Sequence, residues 1–157
     1  MNVTATVDID IVTASKENKP GIVRTLIEAG AGIDDQDIGG YTGLHWACQR
    51  GHMEVVHVLI KGNADVNIRS FERTEYNTPL HLACIFHNAR VIRLLLENGA
   101  DANIRNQHQF TAFDYAKRIP MTNSDREEIM DLFRECAPDL VMEAWCTLGS
   151  SGPGGMR

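Results

Sequence analysis

The sequence predicts an all-α fold, a solenoid of short helix–turn–helix units stacked side by side, and three observations predict it. The first is an internal repeat, the feature that decides a fold before any local pattern does. Thr42-Gly43-Leu44-His45-Trp46-Ala47-Cys48 returns as Thr78-Pro79-Leu80-His81-Leu82-Ala83-Cys84, and in weakened form as Thr111-Ala112-Phe113-Asp114-Tyr115-Ala116, at offsets of 36 and 33 residues. The second is a downstream block in the same register: Val58-Leu59-Ile60-Lys61-Gly62-Asn63-Ala64-Asp65-Val66-Asn67-Ile68-Arg69 matches Leu94-Leu95-Leu96-Glu97-Asn98-Gly99-Ala100-Asp101-Ala102-Asn103-Ile104-Arg105 without a gap. The third is helical periodicity within each copy. Leu44, Ala47 and Cys48 share one helix face, and Val55, Val56, Leu59 and Ile60 form the apolar stripe of a second. A helix pair this short exposes much of that stripe alone, so it must stack on the next pair to leave water.

In chain order, residues 1–7 read as an N-terminal extension. A degenerate first copy spans about 8–36, found by stepping back one period from Ala47 to Ala14 and from Leu59-Ile60 to Leu26-Ile27. There Asp8, Asp10, Lys16, Glu17, Lys19 and Arg24 alternate with apolar residues, as the polar outer face of a terminal repeat should. The second and third copies occupy 37–69 and 70–105. Thr42 and Thr78 stand at helix N-caps, and Pro79 opens its helix where a missing N–H costs nothing. Gly51 separates the two helices, with Asn18 and His87 in the same place in neighbouring copies; all three types tolerate positive φ better than most. The fourth copy, 106–137, differs. Asp114 replaces the histidine, and an insert around Met121-Thr122-Asn123-Ser124 precedes a second helix expected over Arg126–Cys136, where Ser124 and Glu127 read as a capping box. That departure suits a C-terminal cap. Residues 138–148 read as one more helix with Leu140, Val141, Ala144, Trp145 and Leu148 on one face, covering the last repeat or offering Trp145 to a partner. Residues 149–157 are a tail, flexible by composition.

Residues 37–69 and 70–105 resemble ankyrin repeats. They carry the threonine–proline–leucine–histidine pattern, with Gly43 in place of the proline in the first, and the alanine–aspartate–x–asparagine ending. The resemblance extends over about four repeats. It implies a curved stack of antiparallel helix pairs with β-hairpin fingers along one edge, a concave surface that binds partner proteins, and no cofactor. It also implies that the histidine bonds around the turn and hairpin, and that Asn67 and Asn103 bond the turn backbone, although such asparagines resemble hydroxylase sites. Variable binding positions transferred by register fall on Ile38, Tyr41, Gln49 and Arg50 in the second copy. In the third they fall on Glu75, Asn77, Ile85 and Phe86, and in the fourth on Gln107, His108, Phe110 and Arg118, with Ile119 beside them. Three extra residues lengthen the third finger, Ser70–Asn77, whose Phe71 and Tyr76 have no core to fill and read as further contacts.

Composition narrows the function. At 157 residues, 43% hydrophobic and 23% charged, the chain is an ordinary globular domain in size and make-up. A formal charge of −6 argues against a nucleic-acid binder, which needs a basic face. No apolar run approaches the roughly 20 residues that span a bilayer, and no basic n-region opens the chain. Cys48, Cys84, Cys136 and Cys146 are too scattered for a disulfide framework and fit a reducing compartment, cytosol or nucleus. His45-x-x-Cys48 and His81-x-x-Cys84 contain the residue types of a tetrahedral zinc site, but they occupy identical places in adjacent repeats, so no metal is expected. Cys48 with His45 and Asp114 contains the types of a nucleophilic triad, but packing between helices would silence the thiol. The expectation is a non-catalytic protein-interaction module, an adaptor or subunit, monomeric when free. A subunit built permanently into an assembly and an enzyme inhibitor are the other classes.

Overall fold

The computed structural model describes residues 9–118 and 124–149, without the side chains of residues 145 and 147–149. Residues 1–7, Ile119, the insert at 121–123, the side chains of Trp145 and Leu148, and tail residues 150–157 lie outside the described residues. Four helix pairs follow one another: α1 (Ile11–Lys16) with α2 (Pro20–Glu28), α3 (Gly43–Arg50) with α4 (Met53–Lys61), α5 (Pro79–Ile85) with α6 (Ala89–Glu97), and α7 (Ala112–Ala116) with α8 (Ser124–Cys136). A last helix, α9 (Pro138–Gly149), packs on α8. The first helices touch in the order α1, α3, α5, α7 and make an inner layer; α2, α4, α6 and α8 make the outer one.

Local chemistry starts and stops each helix. Thr42, Thr78 and Thr111 are extended N-caps whose hydroxyls accept the N–H three residues on, from His45, His81 and Asp114. Gly51 ends α3 at φ 71°, and His87 reaches 59° at the matching place, so the positive-φ expectation holds even where glycine is absent. Helix α8 begins at Ser124 rather than Arg126, which puts Ser124 inside the first turn instead of before it.

The core runs unbroken between the two layers. Leu44, Leu59, Leu80, Ile92, Leu95, Ile129 and Phe133 are fully buried, and Phe113 meets Phe133 with ring centroids 5.2 Å apart. Burying each such side chain contributes about 2 kcal/mol, so no single repeat holds enough of them to stand alone. Leu140 and Val141 of α9 join the same core, each 9% exposed, while Met142 faces outward.

No strand forms among the described residues. The fingers expected as β-hairpins are loops closed at the base by a backbone bond, Asp37 N–H to the Tyr41 carbonyl, Ser70 to Asn77 and Asn106 to Phe110, all 2.9 Å. Each finger is too short for a ladder, and the long one bends into a one-turn 3-10 helix at Glu72–Thr74. Adjacent fingers bond to one another instead: the Phe71 N–H donates to the Gly39 carbonyl at 3.2 Å and the Gln107 N–H to the Glu75 carbonyl at 2.8 Å. Asn67 does in the outer turns what was expected of it. Its Oδ1 accepts the Asp101 N–H at 2.7 Å and its Nδ2 donates to the Gly99 carbonyl at 3.2 Å, tying one repeat to the next.

Candidate functional site

The buried histidines build the frame on which the exposed residues sit. Nδ1 of His45 accepts the Thr42 N–H at 3.1 Å, which leaves the ring proton on Nε2, and Nε2 donates to the Asn77 carbonyl at 3.0 Å. His81 repeats this with the Thr78 N–H at 3.2 Å and the Phe110 carbonyl at 3.0 Å. Each ring therefore fixes its own helix start and the base of the following finger. Burial drives the pKa of His45 down to about 4 and lowers that of His81, so both rings are neutral at pH 7. Both nitrogens of each ring are spent on protein partners. Cys48 and Cys84 are fully buried, and burial pushes their thiols up, away from the thiolate that a nucleophile or metal ligand needs.

The fingers and the inner layer present the positions inferred from register. Ile38 stands at the first finger tip, 86% exposed. Tyr41 is half-buried, stacked on His45 and edge-on to Trp46, each with centroids 5.3 Å apart. In the long finger Phe71 is 45% exposed, with its ring against Gly40, where an added Cβ would lie 2.5 Å from Phe71 Cγ. Its aromatic side chain thus folds onto the neighbouring finger and still meets solvent. Tyr76 is 38% exposed under the Arg69 guanidinium, and Glu75 faces His108 of the next finger at 3.3 Å. Gln107 and His108 are exposed and Phe110 half-buried, its ring edge-on to Tyr115. On the inner helices Arg50 and Arg118 are exposed, Gln49 and Ile85 half-buried, and Phe86 is 47% exposed at the end of α5.

Asn77 does not belong with them. It is 3% exposed, its Nδ2 donates to the Thr74 carbonyl and its Oδ1 accepts from Asn106 Nδ2 at 2.9 Å. Its amide braces two fingers from within and is out of a partner's reach. The register made it equivalent to Tyr41 and Phe110, but a short amide in that slot turns inward where the rings turn out.

The aromatic rings among these positions do not join into one continuous band. Tyr41, His45 and Trp46 form one ring cluster and His108, Phe110 and Tyr115 another; among the described residues no ring contact joins either cluster to Phe71 or Phe86. Trp46 is half-buried, its Nε1–H donating to Asp37 Oδ2 at 2.9 Å. Three hydrogen bonds, from Trp46, Tyr41 and Gly39, outweigh burial and hold the Asp37 carboxyl below its ordinary pKa. Lys16, read in the sequence as part of a polar outer face, lies 4.3 Å above the Trp46 ring on the inner layer. Its position one period before Gln49 puts it in register with the inner-helix positions, but the stacking itself needs Trp46.

Comparison with known proteins accords with this geometry. A family model described as ankyrin repeats, in three copies, matches residues 11–106. Human ankyrin repeat domain-containing protein 40 is 45% identical over 47 residues, 29% of this chain and 13% of that protein. Osteoclast-stimulating factor 1 of Monopterus albus is 36% identical over 55 residues, 35% of this chain and 26% of that protein. Palmitoyltransferase Hip14 of Drosophila melanogaster is 39% identical over 62 residues, 38% of this chain and 9% of that protein. The chain thus matches only a small part of each relative's length. Such repeats are generally protein–protein interaction modules. With its repeated caps, its paired helices and a matching family model over most of its length, the chain belongs to the ankyrin-repeat family.

Proposed function

We propose that this chain is a non-catalytic recognition module, an adaptor or subunit, that holds a partner protein against its finger tips and inner helices. One observation carries the reading. Of the six large hydrophobic side chains left exposed among the described residues, Ile38, Phe71, Tyr76 and Phe86 sit on two adjacent fingers and the inner helix that follows them. Apolar surface left in water along two fingers and the inner helix between them and the next repeat, on a frame braced from beneath, is what an interface requires. The buried, protonated thiols and the neutral, doubly bonded histidines support a non-catalytic role. The free, exposed thiols of Cys136 and Cys146 favour a reducing cytosolic or nuclear setting. The isolated chain is expected to run as a monomer in size-exclusion chromatography with light scattering.

The test is the double variant Phe71→Ala and Phe86→Ala. Neither ring belongs to the core, so the melting temperature should fall by no more than a few degrees. Affinity capture with quantitative mass spectrometry should show specific partners enriched by the wild type and lost by the variant. A collapse in stability, or an unchanged set of captured proteins, would refute the proposal.

A further inference from the structure

The ends of the inner helices carry a charge pattern at odds with the chain as a whole. Arg50 is the last residue of α3, Phe86 directly follows α5, and Arg118 lies two residues beyond α7, so three successive inner helices end in cation, exposed ring, cation. Each guanidinium is held over an aromatic face rather than by an acid: Arg50 Cζ is 5.6 Å from the Trp46 ring centre, and Arg118 Cζ is 4.5 Å from that of Phe110 and 5.8 Å from that of Tyr115. Lys16 adds a third cation, 4.3 Å from the Trp46 ring centre. Three acids of these repeats are already engaged: Glu17 with Lys19 at 2.5 Å, Glu75 with His108 at 3.3 Å, Asp114 with Lys117 at 2.7 Å. Among the described residues neither Arg50 nor Arg118 has a carboxylate partner. On a chain of net charge −6, two unpaired arginines either side of a solvent-exposed phenylalanine form a local exception.

Resting on the recognition role proposed above, we infer that the occupant of this face is an acidic protein segment with one large apolar residue between two carboxylate groups. The apolar residue meets Phe86 and Ile85, and the carboxylates meet Arg50 and Arg118. Arginine suits such a role because its planar fork takes a carboxylate by two hydrogen bonds, and resting on a ring it loses little freedom on binding. The helix spacing sets the ruler. Neighbouring helices pack about 8–10 Å apart, so Arg50 and Arg118, two helices apart, stand about 16–20 Å from one another. An extended chain advances about 3.3 Å per residue, so the two acids belong about five or six residues apart with the apolar residue midway. Elsewhere the negative surface repels an acidic partner, which fixes where it lands.

The experiment selects phage-displayed random dodecapeptides on the full chain and reads the winners. Enrichment of acid, large apolar residue and acid at that spacing is expected. A synthetic winner should bind at least about tenfold more weakly to the variant Arg50→Glu with Arg118→Glu, and to wild type when salt is raised from about 50 to about 500 mM. Both arginines are exposed, and a circular-dichroism melt of the variant checks its fold. Neutral or basic winners, no enrichment, an unaffected variant, or displacement by a twelve-nucleotide single strand as strong as by the peptide would each overturn the inference. Partner capture separates it from the reading beneath it. If the Phe71→Ala/Phe86→Ala variant loses a partner that the arginine variant keeps at high salt, recognition stands and the acidic occupant falls. If both keep it, both fall.

Discussion

The two middle repeats and the last one solve the same local problem with different side chains, and the difference separates a repeat that continues from one that stops. At His45 and His81 the capping side chain has two ends: Nδ1 takes the threonine N–H of its own turn, and Nε2 donates to the finger of the next repeat. At Asp114 one carboxylate oxygen takes both the Thr111 N–H and its hydroxyl, each at 2.9 Å, and the other meets Lys117, just past the same helix, at 2.7 Å. The cap is equally complete, but nothing is handed on. Burial acts to raise the Asp114 pKa, and the bonds from Lys117 and Thr111 more than offset it, so the carboxyl stays charged. A neutral two-ended ring sits inside the stack, and a charged one-ended acid sits at its edge.

Breaking the two-ended link should give the largest effect. His81→Ala empties a fully buried site and strands the Thr78 N–H and the Phe110 carbonyl, a loss of about 4 kcal/mol in urea unfolding. Asp114→Ala removes only a cap and should cost about 1 kcal/mol. Equal losses at the two positions would dissolve the contrast. Acid should break the same link without mutation. The folded pKa of His45 is depressed, so the unfolded chain binds the extra proton more readily, and stability present above about pH 6.5 drains away until about pH 4. For His45 alone the loss is roughly 3 kcal/mol, and His81 shifts in the same direction. Asp37 and Asp114, both depressed, act with the same sign from about pH 5 downward, where Asp34, raised by burial, opposes them, which leaves the window from about 6.5 to about 5 to the histidines. Urea midpoints unchanged across that window would show that the rings are not neutral keystones.

Much of this was legible in the residues because a repeat states its chemistry more than once. Thr42 and Thr78 marked the caps, Gly51 and His87 the turn, and Val55, Val56 and Leu59 the buried stripe, each matched in a second copy. The site was read less well, since finger residues are where the copies differ. Register alone placed Asn77 with Tyr41 and Phe110, and only packing shows that its amide braces the next finger. The same limit applies to Lys16, because its stacking on Trp46 depends on a tryptophan present in one copy only. Gly43, seen first as a missing proline, has a cause in the first repeat. A Cβ there would lie 2.5 Å from Ser15 Oγ, itself bonded to the Ile11 carbonyl, so the α1–α3 contact is closer than a side chain at 43 allows. Gly43→Ala should therefore cost about 2 kcal/mol despite its better helix propensity, measured by thermal unfolding. Gly43→Ala tolerated without loss would mean that the first pair is loosely docked and that Gly43 is incidental.

The smallest expected effect is the sharpest test of what ends the stack. Asp114→His restores at the last repeat the side chain that the middle repeats use. Nδ1 can take the Thr111 N–H as it does at Thr42 and Thr78, so the cap survives the exchange. The gains of the middle repeats came from the other nitrogen, which there donates to a carbonyl of the following finger. After α7 the chain goes on to α8 and α9, and α9 places Leu140 and Val141 in the core where a further repeat would stack. The exchanged ring also gives up the ion pair with Lys117, a partly exposed contact that contributes less than about 1 kcal/mol. A change within about 1 kcal/mol of wild type in urea unfolding is expected, with no gain. A clear stabilisation would mean that Nε2 had found an acceptor, and that the last repeat is closed by its aspartate and not by the helices that follow it.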